Sequence, residues 1–295
     1  MDFYVRSDLA CESFGEEEGV EGADWRVDRI DGFAVGRLQI RTDGAAHRIG
    51  RECGHYITVE CGNPVLLGED QRGALVEILS GELCEMAERL TNKPADSDFC
   101  IFVAGLGNAG LTADAIGPQT VGKLTATRHL RDRETQLYRA LGCSALSALA
   151  PGVLGQTGIE TLELLRGAVR AIHPDVVLAI DALAARSCDR LASTVQITDT
   201  GICPGSGVGN HRAAISEETL GVPVIALGVP TVVNSSTLVW DALQKGGVTE
   251  IDAGLRDVLE NGKSFFVSPK ESDVIVETLS SILAAAIGNA FTAAL

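Results

Sequence analysis

Three short runs of continuously apolar residues, Ile101–Ala104, Val176–Ile180 and Val224–Leu227, constrain the fold of this chain more than any other feature. Each is bounded by Gly, Pro or Asp and separated from the next by helical periodicity, so each reads as a central parallel strand covered on both faces. Val195–Ile197 adds a further strand, and helices are expected over 115–124, 159–172 and 217–220. With 33 glycines and only 4% aromatic residues, tight strand-to-helix turns are favoured over an aromatic-rich sandwich. The expected class is α/β: a mostly parallel central sheet flanked by helices, with an N-terminal strand pair and a C-terminal amphipathic helix.

The strand pair is read at Phe33–Arg41 and His55–Glu60, which alternate apolar and polar residues around a polar turn. Glu69–Leu90 reads as a helix ending near Asn92 and Pro94. At the C-terminal helix, Ser268 is the expected N-cap, Pro269 the first helical residue and Glu271 the capping-box partner. Its buried face is Ile275, Leu279, Ile282, Leu283, Ala286 and Ile287. Residues 1–24 are set apart as a mobile, acidic N-terminal arm, because Glu12–Asp24 is rich in carboxylates and glycine and does not repay the entropy of ordering without docking. Residues 25–295 are expected to form a single α/β domain.

Composition removes several classes of function. A net charge of −16 opposes a phosphate backbone, and the densest basic run, Arg128–Arg133, itself contains Asp132, so nucleic acid is not an expected partner. The eight cysteines form no C-x-x-C pair and none is spaced with histidine as zinc ligands are, so they read as reduced thiols. No long apolar run follows Met1, which points to a cytoplasmic protein. The apolar stretch Val222–Val233 contains two prolines and falls short of the roughly 20 residues a bilayer span needs, so no membrane association is expected.

Gly105, Gly107 and Gly110 satisfy G-x-G-x-x-G directly after an apolar strand. A dinucleotide site also needs an acidic residue about 20 positions downstream for the ribose. Thr125–Leu130 holds none, and Asp114 in the first helical turn would oppose the phosphates. The glycines therefore read as a tight turn. A second cluster, Pro204–Asn210, lacks the lysine of a phosphate-binding loop. It is either a turn-rich loop or a backbone surface approaching a bound peptide. G-x-S-x-G and H-E-x-x-H are absent, and His129, His173 and His211 lie on different elements, so serine or zinc hydrolysis is not supported.

Asp181 closes the run Pro174–Asp181, and Asp114 follows another apolar strand by a short loop. In open α/β sheets the ligand crevice lies outside the carboxyl ends of the strands, where both acids converge. Two carboxylates at close quarters do not both ionise cheaply; one keeps its proton, giving an acid and a base for attack of water on an amide. For each aspartate alone, helix N-capping is the competing role.

The segments GLGNAGLTADAIGP (105–118), TRHL (127–130), APGVLGQTGIET (150–161), PDVVLAIDALAARS (174–187), TDTGICPGSGVGN (198–210) and ETLGVPVIALGVPTVV (218–233) closely resemble the spore germination protease family. YVRSDLACES near the start and VSPKESD before the last helix extend the resemblance over nearly the whole chain. It implies an endopeptidase that degrades small acid-soluble spore proteins during germination, made as a zymogen, assembled as a homotetramer and acting in the forespore or spore core without a cofactor. A fold related to the hydrogenase-maturation endopeptidases is also implied. The family's atypical aspartic mechanism places its two catalytic aspartates on Asp114 and Asp181. Asn108 and the backbone of Gly205, Ser206 and Gly207 are candidates for orienting the peptide or the oxyanion. The family's propeptide site falls on Arg6–Ala10, which gives self-cleavage between Asp8 and Leu9 as the expectation. Two departures stand out: Cys203 where the family usually has histidine, and Asn234 where it usually has aspartate. A metal-assisted peptidase using the same carboxylates, and a non-catalytic spore-protein binder, are the alternative readings.

Overall fold

The computed structural model describes residues 7–14, 19–205, 212–248, 250–263 and 265–292. Its sheet comprises β1 (Ala23–Ile30), β2 (Phe33–Ile40), β3 (Gly54–Glu60), β4 (Cys100–Gly105), β5 (Ala145–Leu149), β6 (Val176–Ala185), β7 (Thr194–Thr198), β8 (Val224–Asn234) and β9 (Phe266–Val267). The strand order is β1-β2-β3-β7-β8-β6-β4-β5, with β9 added to β8. The three apolar runs are its parallel centre: β4 pairs with β5 and β6, and β6 pairs with β8. Beyond β8 the sheet becomes an antiparallel arm through β7 and β3 to β2 and β1.

The period of two along each central strand explains why the runs are apolar throughout. On β4 and β6, Ile101, Val103, Val176, Leu178 and Ile180 join one core with the helices Glu69–Thr91 and Ser272–Phe291. The alternate residues Phe102, Ala104, Val177 and Ala179 join a second core with the helix Thr161–Ile172. Both faces of the central strands are thus removed from water. The helix Ser272–Phe291 is long and apolar enough by composition to cross a membrane, yet Ile275, Leu279, Ile282, Leu283, Ala286 and Ile287 are all buried within the protein.

Four differences from the sequence reading have local causes. β2 and β3 pair as expected but are joined by the helix Asp43–Ile49 instead of a turn; Thr42 caps it by accepting a hydrogen bond from the Ala45 amide. β1 was not anticipated, because it is an edge strand whose residues are mostly solvent-facing and leave little alternation to read. Part of the acidic arm docks: Ala10–Phe14 is a short helix with Ala10, Cys11 and Phe14 buried. Glu12 anchors it by accepting from the amides of Arg186 and Ser187. Finally, the C-terminal helix begins at Ser272, past the expected cap at Ser268. Val267 is tied to Val233 on β8, so residues 268–271 are spent turning the chain away from the sheet.

Candidate active site

β4 ends at Gly105, and the Leu106 amide then donates to the Ile180 carbonyl at 2.8 Å, carrying the loop across the end of β6. Two of the fingerprint glycines permit this crossing. A side chain on Gly105 would collide with the Gly117 carbonyl, and one on Gly107 with the backbone of Asp114; Gly107 also has a φ of +108°, which disfavours any other residue. Gly117 is equally constrained, lying against the Leu106 and Ile180 carbonyls. Gly110, the third glycine of the motif, meets no such backbone contact. The glycines therefore fold the loop onto the helix Ile116–Lys123 and the end of β6, with Asp114 at the turn.

Asp114 and Asp181 line one cavity of about 720 Å³ with Leu106, Leu111, Arg212 and Phe266. Asp181 does not end its strand. β6 continues to Ala185, and it is the β4 partner that stops, its last pair being Gly105 with Ile180. Asp181 is the first residue past that point, still paired with Gly228 of β8 and only 5% exposed. Burial, reinforced by the charges of Asp114 and Asp8, pushes its carboxyl up to about 8, against the opposing hydrogen bond from the Ala182 amide to Oδ1. Burial also raises Asp114, but there the Asn108 amide donating to Oδ2 at 2.9 Å, with Arg212 nearby, favours the anion. Asp114 ionises first, and its charge then holds the proton on Asp181. The two carboxyls are thus held unequally, Asp181 by burial and by the charge of Asp114, and Asp114 with its rise opposed by the Asn108 amide and Arg212.

Asn108 serves the loop: its amide holds Asp114, while its side-chain oxygen accepts from the Gly110 amide and from Gln156 Nε2. Gly205 lines the cavity; Ser206 and Gly207 lie outside the described residues. Asp8 also reaches the cavity, where it holds both the amide and the carbonyl of Ala184, and Leu9 beside it is fully buried. Cys203 is exposed and lines an adjoining cavity of about 980 Å³ that Asp181 also touches. Asn234 caps the helix Ser235–Lys245 by accepting from the Ser236 amide, a task an aspartate would perform equally. A larger cavity of about 1020 Å³, lined by Arg29, Glu60 and Arg190, contains neither aspartate.

One residue of the site escaped sequence reasoning. Pro230 has no amide hydrogen, and the β6–β8 register slips beside it: Leu183 faces Pro230, Ala184 faces Val232, and Thr231 between them is the extra residue. Thr231 Oγ1 donates to the Ala113 carbonyl at 2.6 Å, bracing the turn that carries Asp114. A proline inside an otherwise central strand was the available signal for a bulge.

A sequence model of germination proteases matches residues 5–245. The germination protease of Clostridium acetobutylicum is 39% identical over 99% of this chain and 96% of its own length. That of Clostridium perfringens is 38% identical over 98% and 95%, and that of Priestia megaterium 39% identical over 82% and 66%. Among solved structures, a [NiFe] hydrogenase maturation protease from Thermococcus kodakarensis aligns with 69% of this chain and 99% of its own at 17% identity, with a TM-score of 0.36. Matches of this identity across almost the full length of named relatives leave one assignment: the chain belongs to the germination protease family.

Proposed function

We propose that this germination peptidase hydrolyses small acid-soluble spore proteins by an atypical aspartic mechanism in which Asp114 and Asp181 together activate water. The single observation that carries the mechanism is the unequal pair in one cavity, Asp181 buried and raised to about 8, and Asp114 with an amide of Asn108 donating to its carboxylate against the rise that burial causes. Asp114 takes the proton from water as it attacks the peptide carbonyl, and Asp181 supplies one toward the departing nitrogen. Proton bookkeeping favours this division of labour, since only the already ionised carboxylate can accept. The exposed Leu111 and Phe266 at the cavity edge give an apolar rim for a substrate side chain, and Arg212 gives a cationic one.

The rest of the proposal follows the family resemblance: synthesis as a zymogen, self-cleavage between Asp8 and Leu9, a homotetramer, and action in the cytoplasm of the forespore. The buried clamp on Asp8 and Leu9 supports a specific role for that bond. The test is cleavage of a purified spore protein followed by mass spectrometry of the fragments. Asp114→Asn and Asp181→Asn are each expected to lower turnover by about 10²–10⁴-fold. Turnover unchanged in either variant would remove that residue from the mechanism.

A further inference from the structure

Beyond Ile180, β6 keeps β8 on one side but has lost β4 on the other. The edge so exposed runs from Asp181 to Ala185, immediately beside the two aspartates, and a strand edge is a template for another extended chain. Residues Ser7–Ala10 of this same chain lie on it. The Asp8 amide donates to the Ala184 carbonyl at 2.9 Å, and the Ala184 amide donates to Asp8 Oδ2 at 2.8 Å. Gln196 grips the segment from β7: its Nε2 donates to the Asp8 carbonyl at 3.2 Å, and its Oε1 accepts from the Ala10 amide at 2.7 Å. Arg51 reaches in from the far side to donate to the carbonyls of Ser7 at 2.8 Å and Leu9 at 3.3 Å. Its Nε is buried with no partner among the described residues. The Leu9 side chain fills a small apolar pocket made with Cys11, Leu183 and Ala185.

These contacts read main chain, not sequence. From the Ser7 carbonyl to the Ala10 amide, where the helix Ala10–Phe14 begins, the protein addresses three carbonyls and two amides of the segment, and only the Asp8 carboxylate and the Leu9 side chain are read by identity. Main-chain pairing with alternate side chains in pockets is how sheet edges recognise peptides. We infer that the β6 edge at Ala182–Ala184, together with Gln196 and Arg51, is the docking strand for an extended substrate peptide, and that Ser7–Ala10 is its occupant in cis. This rests on the peptidase reading for the identity of the ligand as substrate. In this arrangement an acidic substrate side chain takes the Ala184 amide, the peptide is laid across Asp181, and ligand and N-terminal segment exclude one another.

The test measures binding, so it does not depend on turnover. The probe is a fluorescein-labelled, C-terminally amidated peptide with the sequence of residues 4–10, titrated by anisotropy against the full chain carrying Asp181→Asn to halt hydrolysis. Asp8→Pro in that chain deletes both the amide and the carboxylate that hold Ala184, and is expected to tighten binding of the probe by about tenfold or more, the worth of a strand-edge hydrogen bond. Methylating the backbone nitrogen of the probe's own aspartate is expected to weaken it by a similar factor. The methylated and unmethylated probes are also compared on the chain without Asp8→Pro, where the same ratio is expected at higher concentration, so the result does not hang on one variant folding. Equal binding of the two probes, or absence of binding once the N-terminal clamp is removed, overturns the docking strand. Failure of the chain with Asp114 and Asp181 both intact to cleave a spore protein, with probe binding retained, would instead overturn only the peptidase reading.

Discussion

Two aspartates with one intrinsic acidity are separated here by what surrounds them: Asp181 by sheet on one flank and apolar residues around it, Asp114 by a single well-placed amide. The burial that keeps the Asp181 proton in place also couples that proton to folding. Its carboxyl stands near 3.8 when the chain is unfolded and about 8 when folded, so folding takes up a proton between those values. The associated stability is complete below pH 3.8 and is lost as pH rises toward 8. Urea unfolding at a series of pH values is expected to show a component falling by up to roughly 1.4 kcal/mol per pH unit, which Asp181→Asn abolishes. A slope still extending toward pH 8 after the substitution would place that proton on another group. Asp181 itself was legible in the sequence as a carboxylate terminating an apolar run. What the pattern did not carry was that β6 continues past it, since a buried carboxylate interrupts the apolar run and three of the four residues that follow, Ala182, Ala184 and Ala185, carry little strand preference.

At the scale of elements, the site is a junction among the β4 loop, β6 and the bulged part of β8. The glycine fingerprint was legible as a turn, and the structure gives the reason for Gly105 and Gly107 in backbone proximity. The brace from Thr231 was not, because a bulge is a property of two strands in register and neither strand alone specifies it. Thr231→Val keeps the shape and removes the hydroxyl, leaving the Ala113 carbonyl without that donor. The expected cost is about 1–2 kcal/mol of stability by chemical denaturation, with a fall in turnover of several-fold as Asp114 loses its fixed position. Full turnover with lowered stability would make Thr231 a purely structural residue. Gly107→Ala is expected to be harsher in both respects, because positive φ and collision with Asp114 act together.

Taken whole, the molecule sets its two aspartates where β4 stops beside β6, and the layers around them were the most readable part of the chain. Continuous apolar runs bound the central strands, and the 3.6-residue period gave the buried face of the C-terminal helix residue by residue. The antiparallel arm was read only in part, since its edge strand β1 faces solvent along most of its length. Leu279, fully buried between that last helix and the sheet, tests how far the site depends on the frame. Leu279→Ala is expected to cost about 2–5 kcal/mol in denaturant titration while leaving turnover per folded molecule near its original value. A proportionate loss of turnover in the folded fraction would mean that core packing sets the geometry of the pair.

The early stop of β4 has a mechanical consequence. Past Ile180 one jaw of the cleft is the sheet itself, while the other is a loop hung from it by the Leu106 amide and the Thr231 hydroxyl. The two acids are therefore positioned by different means: Asp181 by the pairing of β6 with β8, and Asp114 by a loop packed on the core through Ala115 and Ile116.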